Sequence, residues 1–388
     1  MGFRILAVAV CAALLGPAPR VAWADPPFRY PEGQCGPARL RYVNGVPVLA
    51  VEGTPEEIGR AIGRLALGPG RRIAAYPDDL LSEYGLSWLR RPLLLAGEPM
   101  LRRCPQDYRA ELEATYAAAD LDHELAVLNN TFFDLKKTVL CSGLLVTGER
   151  STTGGPLLGR NLDYPPLGYA HDYSLVTVYR PRDARHAFAL VGFPGTVGCL
   201  SGMNDAGLAV AVMEVYQARV GERLFDLRGT PFAMCFRRLL EECGSIEEAR
   251  SQLAVMNRTG LNNLTVADRD GVAVFEITPD RVVVRRPRRG ALVCTNHFCT
   301  EALRPAPTVN LFETLDHYAA LRRAKRQRDR LGPEDLQAAL HAVCDPKMTL
   351  QTMVFEPRTL RLRLAVGTVP ASGGEMKVVD LGPLLRAP

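Results

Sequence analysis

The chain has 388 residues, of which 47% are hydrophobic, and its 47 basic and 42 acidic side chains give a net charge of +5. This length and apolar content are enough to bury one large core or two modest ones, which excludes a disordered or low-complexity chain. The charges are too evenly balanced to argue by themselves for nucleic acid as a partner, and none is expected. Two arginine-rich runs, 285–289 and 322–326, are interpreted as solvated faces in preference to contacts with an anion or a membrane.

The first 24 residues have the pattern of a secretory signal peptide. Arg4 supplies the early positive charge, an apolar run extends from Ile5 to Leu15, and Ala22-Trp23-Ala24 has the small-x-small form of a cleavage site. The apolar run is too short to span a bilayer, and no later stretch is apolar for long enough. We therefore expect cleavage after Ala24 and an exported protein, periplasmic or secreted, without stable membrane insertion.

Segment 25–140 is predicted to be mostly helical. A short apolar strand is expected around Val46 to Val51. Thr54 and Glu57 then form a capping box with Pro55 at the first helical position, which predicts a helix through about Leu67. Further helical patterns cover Pro77 to Leu95, Gln106 to Ala119 and Asp122 to Leu135.

Strand patterns dominate from Cys141 onward, in segment 141–388. Strands are predicted at Leu144 to Val146, Leu157 to Gly159, Ser174 to Tyr179, Ala187 to Phe193, Leu208 to Met213, Asn263 to Ala267, Val272 to Ile277, Arg281 to Val284, Leu292 to Thr295, Thr349 to Phe355 and Leu360 to Ala365. Helices are predicted at Pro231 to Cys243, Ser245 to Met256, Leu311 to Arg330 and Pro333 to Val343. The first five strands suggest an antiparallel meander. Because strands and helices are grouped, the pattern predicts a layered α+β domain with antiparallel sheets.

The cysteine count bears on redox state. Nine cysteines remain after the signal peptide, and an odd number in an oxidising compartment leaves at least one thiol unpaired. If Cys141 is that thiol, the other eight could form up to four disulfides; buried reduced cysteines are the equally weighted alternative. Cys294-x-x-His297-x-Cys299 lacks the second half of a metal knuckle, so no metal is expected.

A hairpin is predicted to bring Cys141 close to Arg160 and Asp163. With its turn centred inside the glycine-rich stretch 148–155, antiparallel pairing places Cys141 roughly opposite Leu162. A thiol, a guanidinium group and a carboxylate then meet at one end of a sheet.

These residues suggest nucleophilic chemistry that needs no histidine. None of the six histidines lies in a papain-like signature, and a Gly-x-Ser-x-Gly elbow, a P-loop and a Rossmann glycine pattern are absent from the sequence. If the Leu140–Cys141 bond is cut, the Cys141 α-amine, with a reference pKa near ~8, can act as the general base. Arg160 would favour the thiolate and Asp163 would hold the new amine. An ordinary surface Arg/Asp pair is the alternative interpretation of the residues alone.

Four sequence blocks together resemble a known superfamily. They are Cys141-Ser142, Gly159-Arg160-Asn161-Leu162-Asp163-Tyr164, Ser201-Gly202-Met203-Asn204-Asp205-Ala206-Gly207-Leu208 and Cys294-Thr295-Asn296-His297-Phe298. The chain resembles N-terminal nucleophile hydrolases that act on linear amides. It is most similar to the isopenicillin N acyltransferase (acyl-coenzyme A:6-aminopenicillanic acid acyltransferase) family. Choloylglycine hydrolases and the acid ceramidase/acid amidase group are more distant.

The resemblance implies a four-layer αββα sandwich and assigns roles to site residues. Cys141 would be the nucleophile and, with Leu140, the autocleavage site, while Arg160 and Asp163 would be its electrostatic partners. Asn296 would donate a hydrogen bond in the oxyanion hole.

One position separates this chain from the choloylglycine hydrolases. Where those enzymes have a second asparagine, this chain has Glu214, as acid amidases do. Glu214 is therefore a candidate for proton handling, and bile-salt hydrolysis is less expected.

By the same resemblance, segment 25–140 would remain packed as a small subunit against segment 141–388 after autocleavage. The substrate would be a small acyl amide or thioester, and no cofactor is expected. An acid-amidase/ceramidase-like or choloylglycine-type hydrolase is the alternative function, and a non-catalytic binding protein on the same scaffold is a further alternative. The acyl donor, and whether hydrolysis or acyl transfer dominates, stay open.

Overall fold

The computed structural model of the protein describes residues 27–136 and 140–386. The predicted signal peptide, residues 1–24, lies outside the described residues. Within them there are sixteen strands: β1 Gly33–Cys35, β2 Ala38–Val43, β3 Val46–Gly53, β4 Leu140–Val146, β5 Leu157–Asp163, β6 Leu175–Pro181, β7 Phe188–Gly192, β8 Ser201–Asn204, β9 Ala209–Glu214, β10 Asn262–Ala267, β11 Val272–Ile277, β12 Val282–Arg285, β13 Ala291–Cys294, β14 Thr349–Glu356, β15 Arg361–Ala365 and β16 Lys377–Asp380. The same ranges contain ten α-helices: α1 Pro55–Ile62, α2 Tyr76–Glu83, α3 Arg90–Arg102, α4 Gln106–Ala118, α5 His123–Leu135, α6 Phe232–Glu242, α7 Ile246–Val255, α8 Thr314–Ala324, α9 Pro333–His341 and α10 Leu381–Leu385.

The strands form two sheets. The ten-stranded sheet has the order β1-β2-β3-β6-β7-β8-β9-β10-β11-β12, and the six-stranded sheet has the order β13-β4-β5-β14-β15-β16. The β3–β6 pair is parallel, and the other neighbours pair antiparallel. The meander expected after Cys141 is therefore divided, because the β4–β5 hairpin belongs to the six-stranded sheet and the later strands belong to the ten-stranded one.

The two sheets pack face to face and helices cover both outer faces. The core between the sheets includes Leu145 and Leu158 from one sheet and Ala211 and Met213 from the other. A second apolar cluster joins α1, α6 and α7 to the outer face of the ten-stranded sheet. A third joins α8 and α9 to the outer face of the six-stranded sheet. The layers therefore run α, β, β, α, and the predicted four-layer α+β sandwich is confirmed.

No helix among residues 27–136 and 140–386 combines the length and the apolar character needed to cross a membrane.

The segment before Cys141 contributes strands as well as helices. β3 pairs in parallel with β6, so this segment supplies one edge of the ten-stranded sheet. The sequence analysis predicted β3 but not β1 or β2, although β2 alternates buried Ala38 and Leu40 with exposed Arg39 and Arg41. That period of two is the signature of a half-buried strand.

The predicted helices of this segment are present, with one difference. Thr54 and Glu57 make the expected reciprocal capping box at the start of α1. The helix expected from Pro77 to Leu95 is divided into α2 and α3. Gly85 adopts a φ of +65° between them, and a residue in the left-handed region cannot continue a right-handed helix.

A buried ionic network joins α4 to α6. Arg237 on α6 donates to both carboxylate oxygens of Glu111 on α4, at 2.8 and 2.6 Å, and its Nε donates to Glu241 at 2.9 Å. The Tyr108 hydroxyl on α4 also donates to Glu241. All four side chains are buried. The network therefore links the segment before Cys141 to α6, which belongs to the part of the chain after Cys141.

Removing the cation of this network should destabilise the fold strongly. In Arg237→Met, the buried Glu111 carboxylate loses its ionic partner. Glu241 is left with Arg238, at 3.4 Å. Leaving a buried charge uncompensated costs about 3–5 kcal/mol. Urea unfolding measures the change in the free energy of unfolding. Arg250→Gln is the matched control, because Arg250 and Glu247 pair with side-chain exposures of 50% and 60%. A surface pair of this kind is worth about 0–1 kcal/mol. Equal losses in the two variants would contradict the assignment.

Candidate active site

The β4–β5 hairpin sets the geometry of the site. Cys141 pairs with Leu162, Gly143 with Arg160, and Leu140 with Asp163. The register predicted from the sequence is confirmed. Since side chains alternate along a strand, these pairs divide into two faces.

Cys141 and Arg160 lie on the face that meets the ten-stranded sheet. The Nη2 atom of Arg160 donates to Cys141 Sγ at 3.2 Å and to the Val212 carbonyl at 3.2 Å. Its Nη1 atom donates to the Ser201 hydroxyl. The guanidinium group is fully buried, so it bridges the two sheets and presents one N–H to the thiol.

Gly143 lies opposite Arg160 and packs against the facing sheet. A Cβ atom added there would stand 2.5 Å from Met213 Cε, closer than the optimal carbon–carbon distance of about 3.5–4.0 Å. Met213 Cε is the end of a flexible side chain, so a larger residue at this position would displace that methyl group.

The Cys141 thiol is protonated at neutral pH in the continuous chain. Burial raises its pKa to about 11, and the positive charge of Arg160 opposes that increase. The negative charges of Asp163 and Glu214 raise the pKa further.

Asn296 lies beside Cys141, just beyond the end of β13. In β13 Cys294 pairs with Gly143, so two residues further on Asn296 arrives level with Cys141. Its Oδ1 accepts a hydrogen bond from the Cys141 main-chain N–H at 2.9 Å, and its Nδ2 donates to the Glu214 carbonyl at 2.8 Å. The amide oxygen, rather than the predicted amide donor, is thus the atom that meets Cys141 in the continuous chain.

Residues that the sequence analysis did not select hold Asn296 in place. Asn263 Nδ2 donates to the carbonyls of Thr295 and His297, both at 2.9 Å. These two hydrogen bonds fix the main chain on either side of Asn296. The Thr314 hydroxyl accepts from the Asn296 main-chain N–H at 2.9 Å. The pair Asn262-Asn263 could have predicted such a role from the sequence. Amide side chains are uncommon in a buried strand, and they need hydrogen-bond partners there.

His297 is not directed at the thiol. Its Nδ1 atom lies 3.1 Å from the Thr295 hydroxyl and 3.0 Å from the Thr314 hydroxyl. Burial lowers its pKa to about 4, with a further decrease from the charge of Arg285. The imidazole is therefore neutral at pH 7 and engaged with hydroxyl groups.

Glu214 contacts the site through its main-chain carbonyl. It is the last residue of β9, and its carbonyl accepts from Asn296 Nδ2. Its carboxylate accepts a hydrogen bond from the Tyr216 hydroxyl at 3.5 Å. The charge of this carboxylate is close enough to raise the pKa of Cys141.

Asp163 faces away from the thiol but stands beside the main chain at the predicted cleavage point. It pairs with Leu140 and accepts a hydrogen bond from the Thr349 hydroxyl. Burial raises its pKa to about 7; the Thr349 hydroxyl lowers the pKa, Asp345 raises it and Arg160 lowers it. Asp163 is thus a buried carboxyl group that is partly protonated at neutral pH.

A pocket opens at the end of β5. Tyr164 directly follows Asp163, the last residue of β5, and lines the pocket. It is lined by Ile73, Tyr76, Pro77, Asn129, Phe132, Phe133, Tyr164, Ala170, Phe193, Pro194 and Thr196. None of these eleven residues carries a formal charge, and both segment 27–136 and the loops after β5 and β7 contribute to the wall.

All nine cysteines in the described ranges are free thiols, so the structure favours the reduced alternative over a disulfide framework. Among residues 27–136 and 140–386, no group of three or more His, Cys, Asp or Glu side chains is arranged to hold a metal ion.

Asp163 should make the stability of the protein depend on pH. Its pKa of about 7 lies above the ordinary value of 3.8, so between these values the folded protein binds a proton that the unfolded chain has released. This contribution to stability is full below about pH 4 and is lost as the pH rises through about 7. Asp163→Asn removes the titration. In the continuous Cys141→Ala chain, adding Asp163→Asn should therefore raise the free energy of unfolding by up to ~4 kcal/mol relative to Cys141→Ala alone between about pH 4 and 8.

Urea unfolding at several pH values checks this prediction. Asp183→Asn in the same chain, at an exposed carboxylate, is the control and should show a difference from Cys141→Ala alone that does not change with pH. The same flat difference for Asp163→Asn would contradict the prediction.

Similarities to solved structures are distant. A conjugated bile acid hydrolase from Clostridium perfringens is 14% identical with a TM-score of 0.43, covering 63% of this chain and 93% of that chain. An N-acylethanolamine-hydrolyzing acid amidase ortholog from Caenorhabditis elegans is 14% identical with a TM-score of 0.43, covering 56% and 93%. Penicillin V acylase from Agrobacterium tumefaciens is 15% identical with a TM-score of 0.39, covering 63% and 93%.

The chain also has two similarities at the level of sequence. An uncharacterized protein from Archaeoglobus fulgidus is 25% identical over 279 residues, which are 62% of this chain and 45% of that protein, so the chain spans less than half the length of this relative. The family model for acyl-coenzyme A:6-aminopenicillanic acid acyl-transferase matches residues 150–369, a region that includes Arg160, Asp163 and Asn296 but begins after Cys141. That match covers more than half of the 388 residues and agrees with the resemblance of the four sequence blocks. The chain therefore belongs to the acyl-coenzyme A:6-aminopenicillanic acid acyl-transferase family.

Proposed function

We propose that the protein is a cysteine N-terminal nucleophile hydrolase or acyltransferase acting on a linear amide or thioester, with Cys141 as nucleophile. The observation that carries this proposal is the arrangement around that residue: Sγ is 3.2 Å from Arg160 Nη2, and the main-chain nitrogen is 2.9 Å from Asn296 Oδ1. An amide nitrogen is not basic. Cleavage before Cys141 would turn it into an α-amine with a pKa near ~8, which can accept the thiol proton.

In the processing step, the Cys141 sulfur adds to the Leu140 carbonyl carbon. The bond between that carbon and the Cys141 nitrogen then breaks, and the thiol proton ends on the nitrogen. Leu140 is now joined to Cys141 as a thioester. Water hydrolyses the thioester and releases a Leu140 carboxylate and a Cys141 residue with a free thiol and a free α-amine.

In turnover, the α-amine takes the thiol proton as Sγ attacks the acyl carbonyl of the substrate. Arg160 stabilises the thiolate by charge and by its hydrogen bond. The proposal assigns an Asn296 Nδ2 hydrogen to the oxyanion, with the bond to the Glu214 carbonyl orienting the amide group. The leaving amine or thiol takes the proton back, and water or an amine acceptor resolves the acyl-enzyme.

The two carboxylates have supporting roles in this proposal. Asp163 pairs with Leu140 across the hairpin, so it stands where the new α-ammonium group would form and would hold it in place. Glu214 is close enough for its charge to raise the pKa of the thiol, and we assign it a part in proton handling at the leaving group.

We assign the acyl part of the substrate to the uncharged pocket beside Tyr164, whose volume of about 30 Å³ has to widen when an acyl group enters. Five of its lining residues are Tyr or Phe, and none is charged, so it favours a neutral apolar acyl group over one that carries a carboxylate or an amine. This chemistry suits acid-amidase-like as well as acyltransferase substrates. Which acceptor reaches the acyl-enzyme decides between hydrolysis and transfer.

We also propose that the two fragments stay together after cleavage and that the protein is exported. The buried Arg237 network and the β3–β6 pairing link the segment before residue 141 to the rest, which supports a stable heterodimer. Export rests on the signal-peptide pattern of residues 1–24.

Cys141→Ala should abolish processing. Intact mass of the purified wild type should show two fragments that meet between Leu140 and Cys141, whereas the variant should stay one chain because no thiol is present to attack. Cys344→Ala is the control, since this partly exposed thiol belongs to no part of the site. A wild type that remains a single chain, and that no thiol-reactive acyl probe labels at Cys141, would favour a non-catalytic binding protein instead.

Asn296→Asp separates the two functions of the Asn296 side chain. Aspartate keeps an oxygen that can accept from the Cys141 nitrogen but loses the Nδ2 donor. Losing one oxyanion donor costs ~3 kcal/mol, so we expect kcat for an apolar acyl amide to fall by about 10²–10³ with KM little changed. Steady-state kinetics on the processed enzyme measure both constants. A change confined to KM would assign Asn296 to substrate binding.

A further inference from the structure

Two arginine-rich runs that are far apart in the sequence meet on the surface. Run 285–289 forms the turn between β12 and β13, and run 322–326 lies at the end of α8. Lys325 Nζ donates to the Ala291 carbonyl at 2.9 Å, just after the turn, which brings the runs together. We call the combined surface the basic face; its members are Arg150, Arg285, Arg286, Arg288, Arg289, Arg322, Arg323, Lys325 and Arg326.

Arg150 fixes the two runs relative to each other. Its guanidinium group donates to the carbonyls of Arg289 at 3.1 Å, Lys325 at 2.9 Å and Arg328 at 2.8 Å. A Cβ atom on Gly290 would overlap the Arg150 side chain, so the turn packs directly on it. The basic face is therefore preorganised rather than assembled by a ligand.

The positive charge of this face is mostly uncompensated. Arg286 pairs with Glu247 and Arg285 with Glu276, and within the described ranges the other members form no ion pair. Nine cations against two carboxylates leave seven charges, more than the +5 of the whole chain. Burial, and then the charges of four neighbouring arginines, lower the pKa of Lys325. The cations therefore repel one another in the absence of an anion.

The backbone at the tip of the turn also favours a functional explanation. Arg289 has a φ of +55° and Gly290 a φ of +70°, so both occupy the left-handed region. Asn or Gly is the usual residue at the first of these positions, because a larger side chain is strained there. An arginine at this position keeps an exposed cation in the turn at the cost of backbone strain.

We propose that the basic face docks the protein on the phosphate headgroups of an anionic lipid bilayer. Five of its members are exposed arginines that form no ion pair with any described residue: Arg288, Arg289, Arg322, Arg323 and Arg326. The planar fork of an arginine matches two phosphate oxygens. A turn beside a helix end does not present a helix to the groove of a nucleic-acid duplex, which favours a lipid surface over duplex DNA. A bilayer supplies many phosphates in one plane, and each exposed cation near it contributes about a fivefold gain in binding.

Docking at this face leaves the Cys141 site open. α8 begins at Thr314, which holds Asn296, and its other end carries the basic face, about 16 Å away for eleven residues. The inference does not depend on the chemistry at Cys141.

Co-sedimentation of the full-length protein with lipid vesicles tests the proposal. Vesicles of phosphatidylcholine with about 30 mol % phosphatidylglycerol should bind the wild type at about 0.05 M NaCl and release it at about 0.5 M, because salt screens surface charge. Vesicles of phosphatidylcholine alone should not bind it. Arg322→Glu with Arg326→Glu should weaken binding by roughly 30-fold or more. The matched control is Arg39→Glu with Arg41→Glu, the same charge change on exposed positions of β2, which should change binding by less than about twofold.

A second variant separates binding from folding. Arg289→Gly relieves the left-handed strain, so it should raise the unfolding temperature while weakening vesicle binding by roughly fivefold. The proposal is wrong if the wild type ignores anionic vesicles, if it binds neutral vesicles equally well, or if the β2 control loses as much binding as the basic-face variant. Tighter retention on duplex DNA than on anionic vesicles at the same salt would assign the face to nucleic acid and also overturn it.

Discussion

The buried guanidinium group of Arg160 is the constraint around which the site is built. It extends from the six-stranded sheet and donates to Ser201 and Val212 in the ten-stranded sheet, as well as to the Cys141 thiol. An arginine cannot shed its charge on burial, so these acceptors have to be present for the core to tolerate it. The distance between the sheets near the site is thereby tied to the length of one side chain. Gly143 lies beside that guanidinium group, and a larger residue there would displace the end of the Met213 side chain in the facing sheet.

Burial also sets the protonation of the two groups beside the Leu140–Cys141 bond. In the continuous chain it raises the pKa of the Cys141 thiol to about 11 and that of the Asp163 carboxyl to about 7. Both groups therefore tend toward their neutral forms while the cysteine nitrogen is an uncharged amide. A positive ammonium group at that nitrogen would favour the charged form of each neighbour and lower both pKa values. Under the proposed function, the charge created by cleavage is itself what activates the site.

The sequence predicted local features well and long-range ones only through family resemblance. The hairpin register that places Cys141 opposite Leu162 followed from one turn and the period of a strand. The proximity of Asn296 to Cys141 had no local signal, since 155 residues separate them, and came from the matching sequence blocks. The anchoring of Asn296 by Asn263, and the use of the Glu214 main chain, were missed because they depend on which strand edges meet. The same reason explains the divided meander, since period-two patterns do not say which sheet a strand joins.

The basic face shows how folding changes the meaning of a charge run. Each arginine-rich run taken alone indicates an ordinary solvated surface, because exposed cations are readily hydrated. Bringing the runs together places like charges within interaction range, and Arg150 prevents them from moving apart. Repulsion of this kind lowers the stability of the folded state unless an anion offsets it. Run 285–289 also keeps Arg289 in a strained conformation that glycine would relieve. Charge repulsion and backbone strain thus both destabilise this surface, and they do so independently. Both effects favour a surface that binds a partner over one that is merely solvated.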